Sequence, residues 1–301
     1  MRKLKMVVWD RLLTLLLFIN LLIVHRMKLA IDLGGTNIRI AQVVDGEIVA
    51  KKVIPCPSKE SYDEVMLHIE SLIVRMMTPE VEGIGIGVPS VVDAVRGIVY
   101  NATNISSWKE VHLKEILQHL FFVPVFVNND ANCFALGEKL FGEGVPYRDV
   151  VGLALGTGVG SGIIIDGKLY NGRNTGAGEI GSLPYLDSDF EHYCSSGFFV
   201  DHYQLTGKEA AARAAQGDPA ALEIWQAFGF HLGNLMKAVL FTYDPQAIVI
   251  GGGIASAFPY YESAMRASMS DFPYAETLKG LQVFVSKKPD ISMLGASALI
   301  G

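Results

Sequence analysis

The sequence predicts an α/β protein built from two related lobes that face each other across a cleft. Three observations predict it. Residues 30–40, Ala-Ile-Asp-Leu-Gly-Gly-Thr-Asn-Ile-Arg-Ile, read as apolar strand, tight glycine turn and second apolar strand. Residues 150–166 repeat that grammar around Gly156-Thr157-Gly158-Val159-Gly160. After each turn, helical periodicity alternates with short apolar strands, the pattern of a partly parallel sheet.

Taken in order, the first hairpin continues through an Asp45-Gly46 turn into a third strand over 47–54. Val65, Ile69, Leu72, Ile73 and Met76 fall on one helical face, predicting a helix over 61–77. A buried strand at 83–88, a helix at 113–121, a strand at 124–128 and a helix at 130–141 complete the first series. The second series has strands at 150–155 and 162–166, a turn at Asp166-Gly167, and irregular chain over 171–193. Helices follow at 196–205, 208–216 and 219–242, then a strand at 247–250 ending in Gly251-Gly252-Gly253. A helix at 258–271, a strand at 281–286 and a helix at 294–300 finish the chain.

Half of the 301 residues are apolar and 19% are charged, enough for a packed core and too apolar for disorder. A net charge of -6 gives no basic field, which excludes nucleic acid as the main partner. The three cysteines, Cys56, Cys133 and Cys194, are scattered and form no CxxC pair, which fits a reducing, cytoplasmic compartment. Residues 1–26 stand apart: a basic start, then an apolar run over 12–24 interrupted at its entry by Asp10-Arg11. The run is short for a bilayer span and lacks a small-x-small cleavage site. The preferred expectation is a mis-assigned start with Met27 as the natural one; a membrane-associating segment is the second.

The chemistry gathers at the glycine turns. Successive N–H groups of Gly34, Gly35 and Thr36 can point into one concavity suited to anionic oxygens. An ordinary hairpin turn is the alternative. Asp32, leaving the strand, is placed to hold hydrated Mg²⁺ beside such oxygens. A second turn of the same kind, opposite the first, makes a triphosphate held between them the economical reading. Asn128-Asn129-Asp130-Ala131-Asn132 lies where a strand ends and a helix starts. Such residues are favoured helix caps; an Asp there is equally placed to take the proton of an attacking hydroxyl. Gly251-Gly252-Gly253 falls short of a dinucleotide fingerprint, since Ser256 stands where Gly or Ala belongs, and reads better as close backbone approach to a base or ribose.

With Asp32-Leu33-Gly34-Gly35-Thr36, Asn128–Asn132, Gly156–Gly160, Gly178-Glu179-Ile180-Gly181 and Gly251–Gly253 in this order, residues 27–301 resemble the ROK family (repressors, open reading frames, kinases). The resemblance implies the two-lobed, actin-like and ribonuclease-H-like ATPase fold with a cleft between lobes. It suggests a smaller lobe of 27–142 plus 290–301 and a larger lobe of 143–289. It implies phosphate contacts at Asp32, Gly34, Gly35, Thr36, Gly156, Thr157 and Gly158, adenosine near Gly251, Gly252 and Gly253, and Asp130 as general base. Sugar contacts are implied at Ser90, Asn104, Asn129, Asp130, Glu179 and Glu191. The implied activity is a sugar kinase using ATP and Mg²⁺ on a hexose, at the 6-hydroxyl of a glucose-, mannose- or allose-like sugar, in a homodimer.

Two departures follow. Ser182 replaces the family's His after Glu-x-Gly, and the usual Cys-rich zinc loop is cut to residues 183–190. The first removes a sugar contact; the second predicts no structural zinc, Cys194 being no leftover ligand. Repressor members carry a DNA-binding helix-turn-helix before the first glycine turn, where this chain has its apolar extension, so a repressor is not expected. The rival readings are a sugar sensor without catalysis and an actin-like ATPase indifferent to sugar.

Overall fold

The computed structural model describes residues 26–102, 104–173 and 175–301. The expectations placed on residues 1–25 lie outside the described residues. Strands β1 (Met27–Leu33), β2 (Asn37–Val44), β3 (Glu47–Pro55), β4 (Val81–Val88) and, further along, β8 (Val125–Asn129) form one sheet in the order β3-β2-β1-β4-β8. Strands β9 (Val150–Leu155), β10 (Val159–Ile165), β11 (Lys168–Leu169), β14 (Ala247–Gly251) and β15 (Gln282–Val285) form a second, in the order β11-β10-β9-β14-β15. The two orders are the same topology. In each, two hairpins run antiparallel and the remaining strands join in parallel. The two Asp-Gly turns also match: Asp45-Gly46 has φ values of 51° and 78°, and Asp166-Gly167 has 54° and 74°. Positive φ at both central residues is the type I′ turn, whose twist suits a tight hairpin.

Helices α1 (Tyr62–Val74) and α2 (Leu113–Phe121) cover the outer face of the first sheet. The α1 start is set by Ser61, whose hydroxyl accepts the Glu64 N–H. Over the second sheet lie the small helices α4 (Phe190–Cys194), α5 (Ser196–Tyr203) and α6 (Gly207–Ala214), the long α7 (Pro219–Tyr243) and α8 (Phe258–Met269). Asp218 caps α7, Pro219 opens it, and Asp244 closes it in the left-handed region. Trp225, Phe228 and Tyr261 are buried between α7 and α8. Full burial of an apolar side chain such as that of Phe228 is worth about 1.5–3 kcal/mol.

Helices α3 (Asp130–Phe141) and α10 (Ile291–Ala298) lie between the two sheets. Their apolar cluster draws Ala30 and Val43 from the first sheet and Val150 and Val249 from the second. Gly295 makes this close approach possible: a β-carbon there would stand 1.7 Å from the Cys133 carbonyl oxygen. The helix that starts at Asp130 is thus wedged at the centre of the molecule.

The structure adds to the expected elements in four places. The stretch between β4 and α2 holds a three-stranded sheet of β5 (Val91–Asp93), β6 (Ile98–Tyr100) and β7 (Glu110–Val111). Strands this short carry no readable alternation. The expected irregular chain at 171–193 contains a 3₁₀ turn at Ile180–Ser182, a small hairpin of β12 (Pro184–Tyr185) and β13 (Ser188–Asp189), and α4, which Asp189 caps through the His192 N–H. The terminal helix begins at Ile291 rather than 294, and α9 (Ala275–Gly280) fills a stretch left unassigned. Among the described residues, no helix is long and apolar enough to cross a membrane.

Candidate active site

The carboxyl ends of β4, β8 and β9 and the turn between β9 and β10 converge on one cavity of about 500 Å³. Asp130 stands in its wall with Ser90, Asn104, Asn129, Glu179 and Glu191, and Gly156, Thr157, Gly158 and Gly252 line the rest. Residues separated by more than one hundred positions in the sequence therefore share one opening at the strand ends, where ligands bind in open α/β folds.

At 128–132 the side chains divide the local hydrogen bonds between them. Asn129 is the cap: its Oδ1 accepts the N–H groups of Ala131 at 2.8 Å and Asn132 at 3.2 Å. Its Nδ2 donates to the Ser90 carbonyl at 3.3 Å, tying β8 to the chain after β4. Asn128 is buried and bridges in three directions, donating to Asn171 and accepting from the Asn129 N–H and Asn132 Nδ2. Asp130, as first residue of α3, accepts the Ala131 N–H at 2.9 Å through Oδ1. Burial, then the charge of Asp32, pushes the Asp130 carboxyl up to about 6. A carboxylate of that affinity, facing a cavity, suits proton abstraction near neutral pH.

On the opposite side, Glu191 reaches from α4 to the second glycine turn. Its Oε2 accepts the Val159 N–H at 3.0 Å, and a β-carbon on Gly158 would come within 2.4 Å of that oxygen. Glu179 begins the 3₁₀ turn at 180–182, and burial followed by the charge of Glu191 holds its carboxyl above the ordinary value. The Gly178 carbonyl accepts the buried Ser161 hydroxyl, which fixes the backbone leading to Glu179 against β10.

The first glycine turn stands behind this cavity. A β-carbon on Gly35 would lie 2.6 Å from Cβ of Asn104, so the turn backs on a cavity residue. Asp32 sits directly opposite Arg39 in the β1–β2 ladder, with Nε and Oδ2 3.3 Å apart. Burial still outweighs Arg39 and, with Asp290 adding, keeps Asp32 above its ordinary value. The nests are narrower than the sequence suggests. The Gly34 N–H bonds to the Asn37 carbonyl, the Gly156 N–H to the Gly158 carbonyl, and the Val159 N–H to Glu191. The N–H groups of Gly35, Thr36, Thr157 and Gly158 remain without a hydrogen-bond partner among the described residues. Both threonines are exposed.

In the third glycine run, Gly252 lines the cavity with φ of 84° and Gly253 is exposed. Gly251 is buried against Phe134, whose ring occupies the place of its missing side chain. Sequence reasoning missed Ser161, Asn171 and Thr175, which hold the cavity walls in place. Asn171 and Thr175 are isolated polar residues in a loop, with no periodicity to mark them, and Ser161 is one polar residue inside the apolar strand β10. It also missed that Glu191 touches the turn at Gly158.

Asp32 feels the charge of Asp290 and pairs with Arg39, while Asp290 pairs with Lys51, so Asp32 is the one carboxylate here that could hold the water shell of a divalent ion. Among the described residues, no group of three or more His, Cys, Asp or Glu is placed to hold a metal ion. Cys194 is buried and free, with its thiol pushed up by burial.

Comparison with known proteins agrees with this geometry. A glucokinase of Halalkalibacterium halodurans is 30% identical over 271 residues, covering 77% of this chain and 82% of that one. The xylose repressor of Bacillus subtilis is 30% identical over 237 residues, 72% of this chain and 60% of the repressor. The crystal structure of a ROK family glucokinase from Streptomyces griseus, in complex with glucose and AMPPNP, superposes with a TM-score of 0.76 at 25% identity. It covers 91% of this chain and 98% of that one. The fold is the two-lobed, actin-like ATPase fold that the family resemblance implies, its paired lobes being those expected from the two glycine turns. A profile of the ROK family matches residues 28–301, and the chain belongs to that family.

Proposed function

We propose that this protein transfers the γ-phosphoryl group of ATP to a hexose hydroxyl, the 6-hydroxyl of a glucose-, mannose- or allose-like sugar. The observation that carries the reading is one cavity lined by Asp130, whose carboxyl is pushed up to about 6, by the polar side chains of Asn104, Asn129, Glu179 and Glu191, and by a glycine turn. The chain is a carbohydrate kinase in this reading. Residues 27–142 with 290–301 act as the smaller lobe and 143–289 as the larger.

Asn104, Asn129, Glu179 and Glu191 hold the sugar, with Ser90 beside them. Asp130 accepts the hydroxyl proton as the sugar oxygen bonds to the γ-phosphorus and the bond to the bridging oxygen of ADP breaks. Free N–H groups at Gly35, Thr36, Thr157 and Gly158 stabilise charge on the phosphate oxygens without reorganising. Asp32 would help hold, through water, a Mg²⁺ ion brought by the nucleotide, and that ion would supply further neutralisation of the charge. Gly252 and Gly253 offer open backbone to the adenosine. A homodimer in the cytoplasm completes the reading, and sedimentation equilibrium checks the first part.

A coupled assay of ADP release over a panel of hexoses and N-acetylhexosamines tests it. Release that depends on a hexose supports the kinase. Hexose binding without ADP release makes the chain a sensor, and ADP release indifferent to every sugar makes it an ATPase of another kind.

A further inference from the structure

Thr175 is 2% exposed and has φ of 57°. A β-branched residue seldom occupies that left-handed region, where glycine is the default. Its hydroxyl is used twice by one partner. It accepts the Val92 N–H at 2.8 Å and donates to the Val92 carbonyl at 3.0 Å. Threonine thus extends the β5–β6 ladder by one side chain. Ser90 and Val91, immediately before Val92, line the cavity on one side, and Glu179, four residues after Thr175, lines it on another. Between Thr175 and Glu179, the Gly178 carbonyl is held by the Ser161 hydroxyl. Residues 175–179 are therefore fixed at one end to β5 and at the other to β10. A second tie, from Asn128 Nδ2 to Asn171 Oδ1 at 2.9 Å, joins the same loop to the strand that leads into Asp130.

We propose that Thr175 is a positioning residue for the sugar side of the cavity. By holding the Glu179 loop against the Ser90–Val91 wall it sets the spacing of the hydroxyl contacts, and with it hexose affinity, while leaving nucleotide affinity alone. Backbone strain is kept at a buried position where both hydrogen-bonding functions of the side chain are satisfied, the condition under which strained residues persist. The inference rests on the kinase reading. It does not place Thr175 against the sugar or the phosphates.

The test compares Thr175→Ser, Thr175→Val and Thr175→Gly in the full chain. Steady-state kinetics is read for hexose and for ATP, together with amide exchange at Val92. Thr175→Ser keeps the hydroxyl and rescues the hexose KM to within about threefold. Thr175→Val keeps the branching and loses both bonds, whereas Thr175→Gly suits the left-handed backbone and so separates a lost hydroxyl from a damaged fold. Both raise the hexose KM about 10- to 100-fold, as a small misplacement of binding groups does, and leave kcat and the ATP KM nearly unchanged. Val92 exchanges slowly in the parent and Thr175→Ser and faster in the other two. A parental hexose KM in Thr175→Gly overturns the proposal, as does an equal rise in both KM values. Should the parent release no ADP with any hexose, the kinase reading fails instead. Calorimetric hexose binding then replaces KM, and unaltered hexose affinity in Thr175→Gly with faster Val92 exchange again overturns the positioning role.

Discussion

The Gly34–Thr36 turn and the Gly156–Gly158 turn share a sequence grammar and a place in matching sheets, yet they meet different surroundings. The second opens on the cavity and has its shape held by Glu191, which takes the Val159 N–H. The first backs on Asn104 and lies beside the Asp32–Arg39 pair. The duplication supplies two strand–turn–strand units; the side chains arriving from elsewhere decide what each one faces. Glu191 comes from a helix of five residues and Asn104 from a loop, and neither position is marked by the repeat.

Asp130, which lies across the cavity from the second turn, gives the largest expected effect. Asp130→Asn lowers ADP release roughly 10²–10⁴-fold with hexose binding kept, the usual range for a general base. The same variant is more stable above neutral pH. The native carboxyl keeps its proton up to about 6 whereas the ordinary value is 3.8, so the native state binds more protons between those values. Its contribution to stability falls as pH rises through that window, a penalty of order 1–3 kcal/mol that the amide lacks. Chemical denaturation of both forms at pH 8 checks the sign.

Glycine substitutions separate the two turns. Gly158→Ala displaces the Glu191 carboxylate, whose oxygen lies 2.4 Å from the new β-carbon. Because that carboxylate is the tip of a flexible side chain, folding is little affected, and kcat/KM drops about 10- to 100-fold. Gly156→Ala meets no protein atom within 4 Å and serves as its control for folding. Gly35→Ala presses on Cβ of Asn104, an atom close to the backbone, so it costs about 1–3 kcal/mol in stability by overpacking and raises the hexose KM. Equal effects of the three substitutions, in denaturation and kinetics, would remove the distinction between the turns. The smallest expected effect is the one on stability when metal is removed. A chelator stops turnover by taking Mg²⁺ from the nucleotide but leaves the melting temperature unchanged; a large fall would reveal a structural ion.

Much of the fold is legible because both sheets are written in apolar runs punctuated by glycine and Asp-Gly. The predicted helices at 113–121 and 130–141 match α2 and α3, and the strand at 150–155 matches β9. Strands β5 to β7 are two or three residues long and rest on pairing with each other, which leaves no periodic signature. The convergence of Asp130 and the second turn follows from strand ends that the repeat itself places side by side, whereas Glu179 arrives on a loop held by the Ser161–Gly178 bond. The division between Asn129 as cap and Asp130 as the carboxylate lining the cavity is not legible, since both residue types are good caps. The nests also differ from expectation, because hairpin closure consumes the Gly34 and Gly156 donors. Thr175 was invisible for another reason: nothing in a loop sequence announces a left-handed threonine.

The most direct measurement is hexose-dependent ADP release by the unmodified protein as a function of pH. With Asp130 as the proposed general base, its deprotonated form is the active one, so kcat/KM is expected to rise with pH along an acid limb centred at about 6 and to level above it. A rate that ignores hexose, or one flat across roughly pH 5 to 8 with the Asp130→Asn variant equally active, would contradict the account.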